Sequence, residues 1–336
     1  MNKLKLIFHY KKYLSVRKIN NFLLLYLSYV VSRSKPVLSK HSLPFFISIE
    51  SSNYCNLHCP QCPVGIGKYI QNTDKQLFDF KLYKKIINEL KPTLLHVILY
   101  FQGEPLINKQ LPDFVRYAHE RKIFTSTSTN GQLINKNNAK LIVSSGLDKL
   151  IVSIDGTTQT VYESYRVGGN LQKTIEGIRL LVDEKKKQKS FTPIIEIQFI
   201  VLKTNEHQMN DMRKLAKKLH VNRFRFKTAQ LYNYEKGHPL IPENLKYSRY
   251  KQQKDGIYTV KTKQPNHCWR LWNGAVVNAS GEVLPCCFDK GSEFSFGNLN
   301  ASLFSDIWHN TKSNKFRSDL LQNRLQFEIC KNCMSQ

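Results

Sequence analysis

Acidic residues and long hydrophobic runs are both scarce in this sequence. Its 336 residues include 25 Asp and Glu against 51 Lys and Arg, which gives a formal net charge of +26. Such a balance favours anionic partners, although solvated lysine-rich faces are the simpler interpretation. The apolar run at 22–31 is too short for a transmembrane helix, which needs about 20 apolar residues. No block of basic residues interleaved with aromatic ones indicates a nucleic-acid platform, so we expect no nucleic-acid partner.

The first 44 residues have no acidic side chain at all. They contain nine Lys or Arg around the apolar run, and no small-residue cleavage site follows that run. A signal peptide is therefore not expected. Three interpretations stay open: a helix packed on the main domain, a basic amphipathic segment that contacts an anionic membrane surface, or a helix that docks a protein partner.

The eight cysteines fall into two groups. They are Cys55, Cys59, Cys62, Cys268, Cys286, Cys287, Cys330 and Cys333. In a long chain without a convincing signal peptide, this clustering indicates metal ligands in a reducing compartment and not disulfides. We therefore predict a cytoplasmic protein, with membrane association left open.

The first cysteine group, Cys55, Cys59 and Cys62, lies in one short loop. Spacings of three and two residues allow three thiolates to point at one inorganic cluster, and iron–sulfur clusters usually take four such ligands. One iron would then be left open for another ligand. A closed zinc site is the alternative, with the intervening His58 as fourth donor, although that geometry would be strained.

The second group predicts a second metal site. Residues 274–278 and 282–284 have strand character and flank a turn that ends at Gly281, which predicts a hairpin. Such a hairpin brings Cys268 and Cys286 together, and the terminal Cys330 and Cys333 supply two further thiolates. Four thiolates suit either zinc or an iron–sulfur cluster.

Strand-like and helix-like runs alternate from residue 45 onward. The predicted strands are 45–51, 94–101, 123–128, 149–154, 193–202 and 222–226. The predicted helices are 80–90, 109–121, 135–145, 171–187 and 207–219. Alternating βα units predict an α/β fold, in which helices cover a parallel sheet and the chemistry lies at the carboxyl ends of the strands.

The three-cysteine loop resembles the signature of the radical S-adenosylmethionine (radical SAM) superfamily. Six βα units also match the partial (βα)6, TIM-like barrel of that family. The resemblance implies that Cys55, Cys59 and Cys62 hold a [4Fe-4S] cluster whose open iron is chelated by S-adenosylmethionine. It further implies an enzyme that cleaves this cofactor reductively to a 5′-deoxyadenosyl radical.

Several strand ends resemble the motifs that bind S-adenosylmethionine in this family. Gly103 and Glu104 match the second and third positions of its GGEP motif, although Gln102 replaces the first glycine. The resemblance implies further cofactor contacts from residues at the next strand ends, namely Ser128, Ser153, Asp155, Arg166 and Leu202. Ser126 is the alternative to Ser128, a helix N-cap is the alternative role for Asp155, and a surface salt bridge is the alternative for Arg166.

The second cysteine set resembles the short "twitch" form of the SPASM domain. This resemblance implies one auxiliary [4Fe-4S] cluster held by Cys268, Cys286, Cys330 and Cys333, with Cys287 as a spare thiol. It implies a small C-terminal α+β cluster-binding domain beside the barrel. The expected boundaries are 1–44 for an N-terminal extension, 45–235 for the barrel, 236–265 for a connector and 266–336 for the SPASM domain.

The function implied is that of an enzyme that oxidises or rearranges a substrate with help from the auxiliary cluster. A small-molecule substrate is slightly favoured, because 44 residues are too few for a peptide-recognition domain before the barrel; maturation of a ribosomally made peptide is the alternative. A non-catalytic iron–sulfur electron-transfer protein is a third hypothesis. The catalytic residue is unknown, Asp289 being a candidate base with a turn residue as its alternative. An acidic flavodoxin or ferredoxin would suit the basic chain as reductant.

Overall fold

The computed structural model describes residues 9–32, 39–68 and 75–334. Its strands are β1 (Phe46–Ile49), β2 (His96–Ile98), β3 (Phe124–Thr129), β4 (Lys149–Ser153), β5 (Ile194–Val201), β6 (Arg223–Thr228), β7 (Tyr250–Gln252), β8 (Tyr258–Val260), β9 (Gly274–Val277), β10 (Glu282–Leu284) and β11 (Gly297–Asn298). Its helices are α1 (Val16–Val31), α2 (Phe80–Leu90), α3 (Leu111–Glu120), α4 (Lys136–Ser144), α5 (Gln159–Glu163), α6 (Leu171–Lys187), α7 (Met209–Lys218), α8 (Trp269–Asn273), α9 (Phe304–His309), α10 (Thr311–Gln322) and α11 (Glu328–Lys331). The alternating βα order predicted from residue 45 onward is confirmed.

The chain forms two compact units, and β3 passes from one into the other. The first unit contains the described residues of 1–54, 73–126 and 264–335, and the second contains those of 55–72 and 127–263. In the first unit the strand order is β11-β10-β9-β1-β2-β3, with β1 parallel to β2 and β2 parallel to β3. In the second unit the order is β3-β4-β5-β6, with β5 parallel to both of its neighbours.

The predicted C-terminal hairpin is present as β9 and β10. These strands are antiparallel, with Val277 opposite Val283. In addition, β9 pairs in parallel with β1, so that the hairpin extends the same sheet as the early strands. Gly274 permits this approach, because a Cβ at that position would lie 2.4 Å from the Phe46 ring.

The apolar periodicity of the helices explains how they cover the sheet. In α6, for example, Leu171, Ile175, Ile178 and Leu181 recur at helical spacing and are all buried. The N-cap Asn170 accepts a hydrogen bond from the N–H of the third helical residue, as good N-caps do. Propensity, capping and burial therefore agree over the whole predicted range.

The N-terminal extension contributes helix α1 to the first unit. Ser15 caps it by accepting a hydrogen bond from the Lys18 N–H. Its aromatic residues contact α8, since the Tyr29 and Trp269 ring centroids are 5.2 Å apart and Tyr29 Oη lies 2.6 Å from His267 Nδ1. None of the helices in the described part of the chain has the length and apolar character needed to cross a membrane. The parts of the extension at 1–8 and 33–38 lie outside the described residues.

Candidate functional site

The Gly103-Glu104 turn follows β2 in the first unit and packs against the segment that follows β1. Gly103 has a φ of +61°, and a Cβ there would lie 2.2 Å from the carbonyl oxygen of Ser52, so that glycine is required. Glu104 donates its N–H to the Tyr54 carbonyl oxygen over 2.9 Å. Its buried carboxylate accepts a hydrogen bond from the Leu106 N–H at 3.0 Å. The turn is thus fixed against the residues that lead into the three-cysteine loop.

A buried carboxylate that the sequence analysis missed lies one residue beyond β1. Glu50 accepts the N–H of Ala279 over 2.9 Å through Oε2. Its Oε1 is buried and has no well-aligned hydrogen-bond partner among the described residues. Burial raises the pKa of Glu50 to about 7, against the opposing effects of the Ala279 N–H and the Lys290 ammonium. The sequence signal that could have identified Glu50 is its position directly after the buried strand β1.

The three-cysteine loop lies in the second unit and is tightly folded. Cys59 is buried, whereas Cys55 and Cys62 are half-buried. The Leu57 N–H donates to Cys55 Sγ over 3.4 Å. Gly65 packs so closely on the loop that a Cβ there would lie 2.6 Å from both N and O of Cys59.

His58, the alternative zinc donor, is exposed to solvent while Cys59 beside it is buried. Its backbone N–H is bound to the Val167 carbonyl oxygen at 3.0 Å. To bind the same metal as Cys59, the His58 side chain would have to turn from solvent towards the buried side of the loop. The loop therefore fits three thiolate ligands better than a three-cysteine, one-histidine zinc site.

Polar groups of the second unit face the thiols of this loop. Arg166 Nη1 lies 3.8 Å from Cys59 Sγ, and its Nε donates to Asp155 Oδ2 over 2.6 Å. Asp155 is fully buried, and its Oδ1 accepts the N–H of Ile200, so it anchors Arg166 and does not cap a helix. Burial raises the pKa of the Cys59 thiol, while the Arg166 cation opposes this rise. Bound iron would supply the remaining positive charge needed for a thiolate.

Asn130 is a second residue that the sequence analysis did not assign to the site. Asn130 lies outside the predicted strand at 123–128, and an Asn-Gly pair is typical of a turn. In the structure Asn130 Nδ2 lies 3.6 Å from Cys55 Sγ and 2.9 Å from Asn56 Oδ1. Hydrogen bonds to cysteine sulfur raise the reduction potential of iron–sulfur clusters. An Asn-Gly turn alone therefore does not predict the contact of Asn130 with Cys55, a predicted cluster ligand.

An apolar cluster closes around the three-cysteine loop inside the second unit. Its buried members are Leu57, Cys59, Tyr165, Leu202, Ala229, Leu231, Tyr234 and Tyr250. Leu202, predicted to contact the cofactor, is thus in the cluster together with the loop. The predicted connector contributes Tyr250 and the antiparallel β7–β8 hairpin, and Gln61 of the loop accepts the Tyr232 N–H over 2.9 Å.

The two predicted serines are half-buried on neighbouring strands. Ser128 lies in β3, and Ser153 is the last residue of β4. Ser126 is buried, and its hydroxyl lies 2.8 Å from His96 Nε2. Because the Ser126 hydroxyl contacts His96, Ser128 is the better candidate for a hydroxyl that binds the cofactor.

The second cysteine set lies entirely in the first unit. Cys268 precedes α8, Cys286 follows β10, Cys330 lies in α11 and Cys333 follows that helix. Burial raises the pKa of Cys286, and the nearby thiols of Cys287, Cys268 and Cys330 add to that rise. Burial likewise raises the pKa of Cys330, and that of Cys333 to about 11.

The donor chemistry of this set suits an iron–sulfur cluster. Four thiolates are the ligands that such a cluster takes, one on each of its four irons. Across 9–32, 39–68 and 75–334, no three His, Cys, Asp or Glu side chains are placed to hold one metal ion.

The adjacent cysteines Cys286 and Cys287 have different surroundings. Cys287 packs against the apolar cluster of Phe101, Val276 and Leu284 and accepts a hydrogen bond from Arg270 over 3.5 Å. Cys286 Sγ accepts the Phe288 N–H over 3.5 Å. Both thiols lie near others of the set, since Cys287 helps to raise the pKa of Cys286 and that of Cys333. The choice of Cys286 as the ligand and Cys287 as the spare thiol therefore stays a prediction.

Asp289, the candidate base, has its carboxylate occupied. Oδ1 accepts the Glu293 N–H over 2.8 Å, and Oδ2 accepts the Phe294 N–H over 3.0 Å. The side chain is fully buried. Its contacts therefore support the role of a turn residue.

Gln264 is a positioning residue for the terminal cysteines that the sequence analysis missed. Its side-chain amide donates to the carbonyl oxygens of Cys330 over 2.7 Å and of Cys333 over 2.9 Å. Gln264 lies in the predicted connector, and no local sequence pattern indicates a contact nearly seventy residues away. This amide fixes the backbone that carries two of the predicted ligands.

The fold and the two cysteine sets define a parallel α/β protein with the ligands for iron–sulfur clusters. The model of the Radical SAM superfamily matches residues 49–219, and the model of SPASM, an iron–sulfur cluster-binding domain, matches residues 268–334. The chain therefore belongs to the radical SAM superfamily and carries a SPASM domain, as predicted. The protein is therefore a radical SAM enzyme. Its cofactors are a [4Fe-4S] cluster and S-adenosylmethionine, with additional iron–sulfur cluster content in the SPASM domain.

Similar proteins act on different classes of substrate. The S-adenosyl-L-methionine-dependent 2-deoxy-scyllo-inosamine dehydrogenase of Niallia circulans is 24% identical over 85% of this chain and 91% of its own length. The PqqA peptide cyclase of Rhodopseudomonas palustris is 23% identical over 86% of this chain and 80% of its own length. The crystal structure of BtrN with AdoMet and 2-DOIA superposes with a TM-score of 0.54 at 22% identity, covering 88% of this chain and 94% of that one. The names of the dehydrogenase and the peptide cyclase give two different classes of substrate.

Proposed function

We propose that this protein is a radical SAM oxidoreductase that oxidises a small organic molecule with the help of an auxiliary cluster. The observation that carries the proposal is that each compact unit contains its own cysteine set. The second unit contains three cysteines in one loop, and the first contains five, four of which we assign as ligands. A set of three leaves one iron open for the cofactor, whereas a set of four saturates its cluster.

The residues of the chain have distinct tasks in this proposal. When bound, the cofactors supply a 5′-deoxyadenosyl radical that removes a hydrogen atom, and an acceptor for one further electron. Arg166, held by Asp155, presents its guanidinium to the cofactor carboxylate. Glu104 accepts hydrogen bonds from the cofactor ammonium, and Ser128 and Ser153 bind its polar groups. Leu202 and its apolar neighbours exclude water from the reacting centre.

The small-molecule assignment is supported by the relatives that match along most of their length. The 2-deoxy-scyllo-inosamine dehydrogenase is matched over 91% of its length, which favours a polyol or aminocyclitol type of substrate over other small molecules. Peptide maturation is the second candidate, favoured by the similarity to PqqA peptide cyclase. An acidic flavodoxin or ferredoxin is the proposed source of electrons.

The first test is reductive cleavage of the cofactor. Anaerobically reconstituted protein is given dithionite and S-adenosylmethionine, and 5′-deoxyadenosine is measured. We expect its formation in wild type and its loss when Cys55, Cys59 and Cys62 are replaced by Ala. The Cys286→Ala variant should still form it. If wild-type protein with its full iron content forms no 5′-deoxyadenosine, the proposed reaction is refuted. A non-catalytic electron carrier would then be favoured.

The second test separates the two substrate classes. Deuterated aminocyclitols and sugars form one panel, and deuterated precursor peptides encoded near the gene form the other. Transfer of deuterium into 5′-deoxyadenosine identifies the class whose C–H bond is broken. Transfer from a peptide, with none from the small molecules, would replace the first candidate by the second.

A further inference from the structure

Helix α1 presents an unusual face to solvent. Of its ten exposed residues, eight are apolar, and Arg17 and Asn20 are the other two. The exposed apolar residues are Val16, Ile19, Leu23, Leu24, Tyr26, Leu27, Val30 and Val31. Leu14 just before the helix extends the same surface, and we call these nine residues the apolar face. They are nearly half of the nineteen large apolar side chains found exposed in the described part of the chain, so this is a patch and not scattered exposure.

The opposite side of α1 is attached to the protein largely by polar side chains. Lys18 donates from Nζ to the Lys122 carbonyl oxygen over 2.5 Å. Asn21 donates to the Leu43 carbonyl oxygen over 2.7 Å and accepts the Leu43 N–H over 2.9 Å. Ser28 is also buried and accepts the N–H of Ser39. An ordinary surface helix buries its apolar face. This helix buries Lys18, Asn21 and Ser28 beside a single leucine, Leu25, and exposes three other leucines.

The charged side chains of the segment that carries the apolar face are of one sign. Lys11, Lys12 and Arg17 are exposed at its N-terminal end, and Lys40 is exposed further along the chain. Residues 1–44 contain nine Lys or Arg and no Asp or Glu. An apolar helix face on a segment whose own charges are all cationic complements an anionic lipid surface, where the apolar side chains enter the acyl boundary and the cations contact head groups.

We propose that the apolar face of α1 is a docking surface for an anionic lipid bilayer, which it enters from one side without crossing it. Helix α1 also has aromatic contacts to α8, including Phe22 with Trp269 at a centroid distance of 5.9 Å. These contacts attach α1 to the first unit, so that docking of the apolar face would hold this unit at the bilayer. This inference goes beyond the proposed reaction and is independent of it. Its chemistry is that of a membrane interface, and a second copy of the chain is the alternative occupant that the test must exclude.

The test uses the full-length, cluster-loaded protein and sedimentation with vesicles. One set contains phosphatidylcholine with about 30 mol% phosphatidylglycerol, and the other contains phosphatidylcholine alone. The variant Leu23→Glu with Leu27→Glu places two charges in the apolar face. The control variant Leu245→Glu with Ile257→Glu makes the same chemical change at two exposed apolar residues elsewhere.

Wild type and the control variant should bind the anionic vesicles, and the α1 variant should bind at least about tenfold more weakly, because two leucines lose their burial in the lipid. Binding should weaken on neutral vesicles and in about 0.5 M salt, which screens the lysines. Formation of 5′-deoxyadenosine in solution and iron content should be unchanged in the α1 variant, which shows that it is folded.

Three results would overturn the proposal. Equal binding by the α1 variant and wild type would place any lipid contact elsewhere. Absence of vesicle binding by wild type, together with a dimer by light scattering that the α1 variant abolishes, would show that a second copy covers the apolar face. Absence of both binding and dimer would also refute it.

Discussion

Asn130 donates towards Cys55 Sγ from 3.6 Å, and this contact makes a measurable prediction. A hydrogen bond to sulfur stabilises the more negative, reduced cluster. Its loss in Asn130→Ala should lower the midpoint potential of the cofactor-binding cluster by about 40 mV, which corresponds to about 1 kcal/mol for one electron. The measurement is a redox titration followed by electron paramagnetic resonance, with the signal identified by its response to S-adenosylmethionine.

The matched control for this prediction is Asn210→Ala. Asn210 is an exposed asparagine of α7 in the same unit, so its replacement should leave the potential unchanged. An unaltered potential in Asn130→Ala would show that the amide does not act on the cluster.

Glu50 makes the stability of the protein depend on pH. Burial raises its pKa from 4.5 to about 7, so that the folded protein retains a proton that the unfolded chain releases between these values. The free energy of unfolding should therefore be highest below the lower value and fall as the pH rises through the upper one. The total loss is about 3 kcal/mol, of which about 1 kcal/mol falls between pH 6 and pH 8.

The Glu50→Gln variant resembles the neutral acid at every pH and should remove this dependence. Thermal melting of the anaerobic holoprotein at pH 6 and pH 8 tests it. We expect wild type to lose a few degrees relative to the variant over that interval. Glu120→Gln changes an exposed carboxylate as a control and should follow wild type. Parallel pH profiles for wild type and Glu50→Gln would contradict the prediction.

At the residue scale the sequence predicted those side chains whose type and position are both distinctive. Cysteine spacing is local, and the structure brings Asp155 and Arg166 together although eleven residues separate them. Asn130 and Gln264 were missed because asparagine and glutamine are common in turns and linkers. Their partners are set by the tertiary fold, which no local pattern shows.

At the scale of elements, the segment after β10 contains the adjacent Cys286 and Cys287, and we predict which of them is a cluster ligand. Cys286→Ala should remove the auxiliary cluster and lower the iron content from about eight to about four per chain. Cys287→Ala removes a thiol that packs against Phe101 and should retain about eight irons. Iron and sulfide assays after reconstitution give the result. The reverse pattern would assign Cys287 as the ligand.

The turn between β2 and α3 makes a second prediction at this scale. In Gly103→Ala both an unfavourable positive φ and a clash with the Ser52 carbonyl oxygen oppose folding. Gly256→Ala is the matched control, because Gly256 also has positive φ but has open space around its Cβ position. We expect Gly256→Ala to cost about 1 kcal/mol from the backbone alone and Gly103→Ala to cost clearly more.

Chemical denaturation of the two variants measures this difference directly. A fall in the affinity for S-adenosylmethionine should accompany Gly103→Ala alone, since its turn precedes Glu104. Equal destabilisation of the two variants would show that the neighbouring Ser52 backbone can move aside at little cost.

Element boundaries followed local signals where those signals were strong. The predicted helix 171–187 coincides with α6, because its apolar period and its Asn170 cap agree. The predicted strand 94–101 shortens to His96–Ile98, since apolar character continues beyond the paired residues. The pairing of β9 with β1 could not be predicted, because a strand sequence does not specify its partner.

At the scale of the whole molecule, the charge of +26 predicts how electrons arrive. An acidic flavodoxin should reduce the protein at a rate that falls at least about tenfold between low and high salt, because ions screen the long-range attraction. Stopped-flow reduction at increasing salt measures this rate. A small, uncharged electron donor serves as the control and should show little dependence. A flat salt profile with flavodoxin would refute electrostatic steering.

The parallel pairing of β1 with β9 also determines when the protein can mature. The edge of β1 has no neighbour on that side until the ribosome has completed residues 274–277, well over two hundred residues later. Closing so long a stretch of chain is slow, and an unfilled strand edge invites association with other nascent chains. Synthesis of this protein should therefore be most vulnerable to aggregation late in translation, just before residues 274–277 emerge.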